Sequence, residues 1–111
     1  MEVFNRQLAL EMVGDDEELL LVLENSFVYD KTFDIKSLEI LESENKLQEA
    51  AEYVHSFKGA ARQIAAEQAA FAGQALEDVL RGKKQGNLKE LNSAFESSLS
   101  TAIAEIKKDI S

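Results

Sequence analysis

No proline interrupts the 111 residues, and glycine stands only at positions 14, 59, 73, 82 and 86. Proline removes a backbone donor and clashes with the preceding turn, so a chain without it can carry helical hydrogen bonding through almost any segment. Apolar residues then recur every three or four positions along most of the length, the period of a helix with one buried stripe. The expected class is all α.

Five segments follow from that periodicity. A short first helix is predicted from about Val3 to Met12. Gly14 is a natural stop, and a new start falls at Asp15, with Glu18 three residues on as a capping partner. The second helix carries Leu20, Leu23 and Phe27 on one face and is expected to continue, bent near Lys31 to Asp34, through Leu38 and Leu41. After the turn Ser43-Glu44-Asn45, the residues Leu47, Ala50, Val54, Phe57, Ala61 and Ile64 mark a third helix. A fourth, starting after about Ala65, carries Ala69, Phe71, Leu76, Val79 and Leu80 and ends at the loop Gly82-Lys83-Lys84-Gln85-Gly86. Asn87 with Glu90 resembles a further cap, after which Leu88, Leu91, Phe95, Leu99, Ala102, Ile106 and Ile110 extend a stripe to the end. Four substantial amphipathic helices with short connections fold most economically as an antiparallel four-helix bundle, the short first helix lying over one end. Residues 1–111 are read as one domain, because the length leaves too little for a second folded unit.

Charge excludes several functions. The formal net charge is -9, whereas affinity for a phosphate backbone needs clustered Lys and Arg, so no nucleic acid partner is expected. Residues 1 to 54 hold 4 basic and 14 acidic side chains, but residues 55 to 84 hold 5 basic and 3 acidic. The segment that begins at the only histidine, His55, is thus the one cationic stretch of an acidic chain. No cysteine is present, which removes disulfides, thiol nucleophiles and thiolate metal sites and suits a reducing cytoplasm. The longest apolar run, Leu19 to Leu23, is too short to span a bilayer, and Met1-Glu2-Val3 does not open a signal peptide. The expected setting is cytoplasmic, without a membrane partner, and the expected state is a monomer.

The chemical signal lies on the third helix. Beside the core stripe Val54, Phe57 and Ala61 runs a face with Ala51, His55, Lys58, Gly59 and Arg62 at helical spacings. His55 should stand at the edge of the core with its ring in solvent. A glycine inside a helix costs about 1 kcal/mol relative to alanine, and at Gly59 one reason for that cost is access, since a partner's backbone could then come close to the imidazole. Imidazole, with an unperturbed pKa of about 6.5, offers a neutral nitrogen at pH 7 and suits a phosphoryl carrier. Transfer of that kind depends on in-line positioning and on neutralising charge, which Lys58 could supply from one turn away. Arg62, and Arg81 from the next helix, could add positive potential if the bundle brings them to the same side. The plain alternatives are solvated surface roles for Lys58 and Arg62 and close helix packing for Gly59.

The run His55-Ser56-Phe57-Lys58-Gly59-Ala60-Ala61 resembles the HxxKG signature of histidine phosphotransfer (HPt) domains. Gly14-Asp15-Asp16 followed by leucines resembles the family's second-helix opening, and Leu76-Glu77 falls where the family usually has a Leu-Glu pair. The resemblance implies a four-helix bundle with an exposed histidine. It implies that His55 is phosphorylated through its outer ring nitrogen, that Lys58 stabilises the phosphoryl group, that Gly59 gives room for the partner, and that Arg81 is a supporting basic position. It further implies docking to receiver domains of response regulators or hybrid histidine kinases in a two-component phosphorelay, with the reacting aspartate and magnesium on the partner, so no metal or cofactor is expected here. The chain departs from the family at Ile64-Ala65, where Leu-Gly is common, which should affect how the third helix ends, and at Phe57, where leucine is more usual.

An autophosphorylating kinase would need an ATP-binding domain, and the chain has neither the length nor a glycine-rich phosphate loop. Phosphate must come from elsewhere, which makes the chain a carrier rather than an enzyme. A metal-dependent hydrolase is disfavoured by a single histidine and no cysteine. The stronger rival is a non-catalytic helical adaptor that binds a signalling partner with His55 unused. In either case the docking surface is expected to combine the His55 face with apolar groups of the first two helices, Leu8 and Met12 among them.

Overall fold

Six α-helices and no strand make up the computed structural model, which describes residues 1–111. They are α1 (Arg6–Met12), α2 (Glu17–Tyr29), α3 (Ile35–Ser43), α4 (Leu47–Gln63), α5 (Glu67–Leu80) and α6 (Leu88–Ile110). No helix is long and apolar enough to cross a membrane.

Side-chain caps decide where four of these helices begin. Asn5 accepts from the N–H of Leu8, Asp16 from Leu19, Asp34 from Lys36 and Asn87 from Glu90. Each satisfies a donor that the first turn would otherwise leave open. Two starts differ from the sequence expectation. α1 begins at Arg6 rather than Val3, because Asn5 is the cap and its own N–H donates to the Ala65 carbonyl at 2.9 Å. α2 is capped by Asp16 rather than Asp15, whose φ of 61° places it outside the helix. The expected bend near Lys31 to Asp34 is a full break: Asp34 is extended (φ -113°), its N–H donates to the Tyr53 hydroxyl at 2.9 Å, and α3 starts anew beyond it.

Four helices end in one way. Gly14, Asn45, Ala65 and Gly82 follow α1, α3, α4 and α5 with φ between 56° and 76°. Each ending closes with a bond from the next residue's N–H back to a carbonyl five positions earlier, as in Ala66 to Ala61 at 2.9 Å and Lys83 to Asp78 at 2.8 Å. Ala65 therefore adopts the left-handed conformation without being glycine, at a cost of about 1–2 kcal/mol. α4 ends at Gln63 with Ala65 in that conformation, and the Ala65 methyl packs in a small cluster with Ala9 and Leu20.

α4 packs chiefly on α5 and α5 on α6, while α2 lies along α6 and α3 against α4 and α6. The expected stripe of α4 is buried from Ala50 through Val54, Phe57 and Ala61 to Ile64. Phe57 finds space in an aromatic group: Phe33 meets Phe57, Phe95 and Tyr53 with ring centroids 5.1 to 5.7 Å apart. Phe71 is a correction to the sequence reading. It is 62% exposed, because the buried face of α5 follows Ala69, Gly73, Leu76 and Leu80, and position 71 falls on the other side of that helix.

Gly73 and Gly59 stand in opposite surroundings. A Cβ at Gly73 would stand 2.8 Å from a ring carbon of Phe95 and 3.0 Å from Lys58 Cβ, so this glycine is what lets α4, α5 and α6 meet. A Cβ at Gly59 would meet nothing within 4 Å.

Candidate functional site

His55 stands two turns before the end of α4 with its side chain 59% exposed. Its anchor is Glu77, on the buried side of α5, only 6% exposed. Three donors converge on that carboxylate. His55 Nδ1 lies 3.1 Å from both oxygens, Lys58 Nζ 2.8 Å from Oε1, and Arg81 Nε 2.8 Å from Oε2.

Burial would raise the pKa of Glu77, but the hydrogen bonds from Lys58, Arg81 and His55 outweigh it and hold the group down at about 2, against an ordinary 4.5. An ionised carboxylate can only accept. When the ring carries one hydrogen, that hydrogen must therefore sit on Nδ1, and the Nε2 lone pair is then free. That is the arrangement a nucleophilic imidazole needs, with one nitrogen pinned and the other open.

Lys58 differs from its expected surroundings. It belongs to the histidine's helix face by spacing, yet its side chain is 5% exposed, under Gly73 and between Glu77 and Gln74, whose Oε1 accepts from it at 2.9 Å. Arg62 reaches the same oxygen at 3.2 Å, and Gln74 Nε2 donates to Asp78 at 2.8 Å. The structure thus joins His55, Lys58 and Arg81 through Glu77, and brings in Arg62 through Gln74. Ala51, on the same nominal face, is fully buried. Leu8 and Met12 lie on α1 and take no part in this network; Leu8 is half-buried against the small cluster of Ala9, Leu20 and Ala65, whereas Met12 is exposed.

Glu77 and Gln74 are the residues that sequence reasoning missed. Glu77 was legible only as half of a Leu-Glu pair. Its spacing of four to Arg81 marks a helical ion pair, but nothing in the sequence ties it to a histidine 22 positions earlier. On the other flank, Ser56 accepts a hydrogen bond from Lys31, whose ammonium also lies 4.5 Å from the centroid of the Phe57 ring. No group of His, Asp and Glu side chains is arranged to hold a metal ion.

No curated protein and no solved structure matches the chain. The family model of the Hpt domain matches residues 7–109, nearly the whole chain and all of the His55 network. An exposed histidine pinned through Nδ1 on an all-helical scaffold, together with that match, places the chain in the Hpt domain family, the histidine phosphotransfer domains of phosphorelays.

Proposed function

We propose that residues 1–111 act as one phosphotransfer domain in which His55 takes a phosphoryl group from a receiver-domain aspartate and returns it to another. The observation that carries this reading is the Glu77 contact at His55 Nδ1. In the transfer, Nε2 attacks phosphorus, the N–P bond forms as the aspartyl O–P bond breaks, and the aspartate leaves as a carboxylate. Because the hydrogen stays on Nδ1, no base is needed, but the phosphorylated ring becomes cationic. The Glu77 carboxylate offsets that charge where it develops.

Lys58, Arg62 and Arg81 supply the opposite requirement, positive potential toward the phosphoryl oxygens. Lys58 does so from a buried position, so it acts as a fixed charge tied to Glu77 and Gln74. Gly59 serves partner access: no neighbour within this chain occupies the space a side chain would take. The partner is a receiver domain of a response regulator or hybrid histidine kinase, and the exposed Met12 with the edge of Leu8 contributes to docking. The domain works as a monomeric carrier in the cytoplasm, without a nucleotide site. In this reading α2 and α3 together form one rod of an antiparallel four-rod bundle with α4, α5 and α6, and α1 covers one end.

The test is to supply a phosphorylated receiver domain to the purified chain and look for acid-labile, base-stable phosphate on His55. A His55→Gln variant that still binds the receiver but accepts no phosphate supports the carrier. Binding without phosphorylation of the unaltered chain by any cognate receiver would support the adaptor reading instead.

A further inference from the structure

Three buried side-chain polar atoms have no hydrogen-bond partner: Glu24 Oε2, Glu42 Oε2 and Asn92 Oδ1. All three are acceptors, so what is missing at each is a hydrogen. Leaving such a group unsatisfied in the interior costs about 1–3 kcal/mol.

Glu42 of α3 and Asn92 of α6 face one another, with Asn92 Nδ2 donating to Glu42 Oε1 at 2.7 Å. The two orphaned oxygens are the second oxygen of the acid and the oxygen of the amide. Asn92 Oδ1 is an acceptor without a donor, and Glu42 Oε2 would become a donor on protonation, so one added hydrogen can serve both. Glu24 of α2, 2% exposed, lies against the carboxyl of Asp109 of α6. Two carboxyl groups can share a hydrogen bond only if one is protonated. Asp109 accepts from Arg6 Nε at 2.8 and 2.9 Å and is thereby kept ionised, so the hydrogen belongs to Glu24.

We propose that α2 and α3 are latched to opposite ends of α6 by protons stored on Glu24 and Glu42, and that alkaline pH opens both latches. The consequence is local. α2 and α6 wall a cavity of about 300 Å³ lined by Leu23, Phe27, Phe57, Ala60, Leu99 and Ile103, so opening the latches loosens the groove beside the His55 helix. Neither latch uses a residue of the His55 network.

The surrounding charges agree. Burial first, then Asp109 and Glu17, push Glu24 up to about 8, with Arg6 of α1 opposing. Burial and Glu39 raise Glu42, against the Asn92 amide; Lys46, in the turn toward α4, is paired with Glu44 at 3.4 Å. Both groups hold a proton more tightly folded than unfolded. Their stabilisation is greatest below the unfolded carboxyl range and is lost as pH rises through the folded value, about 8 for Glu24.

The experiment follows the side-chain carboxyl carbons of the full chain by NMR from acid to alkaline pH, with urea unfolding in parallel. Glu24 and Glu42 should both titrate above the ordinary carboxyl range, and the unfolding constant should rise by at least about tenfold between roughly pH 6 and pH 9. Glu24→Gln and Glu42→Gln place an N–H where the acid carries its hydrogen, so the double variant should lose that alkaline rise. Carboxyl titration of both groups in the ordinary range, or an unchanged alkaline rise in the double variant, overturns the proposal. The titration of the unaltered chain decides the matter even if the variants do not fold.

Discussion

Replacing Glu77 by glutamine keeps the shape of the side chain and removes the charge on which His55, Lys58 and Arg81 converge. Lys58 is 5% exposed, and breaking a buried ion pair from one side costs about 3–5 kcal/mol. The remaining carbonyl and the Gln74 oxygen retain part of that, so the loss should be nearer the lower value. The depressed pKa gives an independent figure. A fall from 4.5 to about 2 corresponds to about 3 kcal/mol of stability at neutral pH, at about 1.36 kcal/mol per unit. Because the folded value lies below the unfolded one, this contribution is complete above about pH 5 and disappears as pH falls toward 2. Urea unfolding of the two proteins should therefore differ by about 3 kcal/mol at pH 7 and converge in acid. A domain of this size has about 5–15 kcal/mol in total, so Glu77→Gln remains folded but weakened. Phosphoryl acceptance should fall about 10–100-fold, the worth of one charge-assisted hydrogen bond, because the amide no longer obliges Nδ1 to carry the hydrogen. Equal stability at pH 7, a gap that persists undiminished to about pH 2, or an unchanged Nδ1–H signal with an unchanged transfer rate would refute the reasoning.

Gly59→Ala should stabilise the chain by about 0.5–1 kcal/mol in thermal unfolding, since a methyl there meets nothing, while slowing transfer from a receiver by narrowing the approach to His55. Gly73→Ala should act in the opposite sense: its methyl would sit 2.8 Å from Phe95 and 3.0 Å from Lys58, so unfolding should show a loss of about 1–3 kcal/mol. His55→Gln removes an exposed ring and should change stability by less than about 1 kcal/mol in the same assay, although phosphoryl acceptance disappears. Lys58→Met leaves Glu77 without its buried partner, so the Glu77 carboxyl should titrate at higher pH by NMR than in the unaltered chain.

Helical class, the core stripes of α4 and α6, the Asn87 cap and the His55-Lys58-Gly59 cluster are all local properties, and each was legible in the sequence. Spacing along one helix is enough to specify them, because side chains three and four apart share a face wherever that helix is placed. The resemblance to the phosphotransfer family could also be read from a short run of residues. Where the second helix breaks was less legible, since Asp34 can sit in a helix or cap one, and the choice depends on its N–H meeting Tyr53. Phe71 reads as core by composition, but only the packing of α5 against α4 and α6 decides which of its faces is buried. Lys58 reads as a surface cation for the same reason, and tertiary structure turns it into a buried one by placing Glu77 and Gln74 against it. The sequence by itself determined that this chain carries a single imidazole. Which nitrogen of that ring carries the hydrogen was decided only when α5 set a carboxylate 3.1 Å from Nδ1, because a tautomer is fixed by the partner across the helix interface and not by any neighbour along the chain.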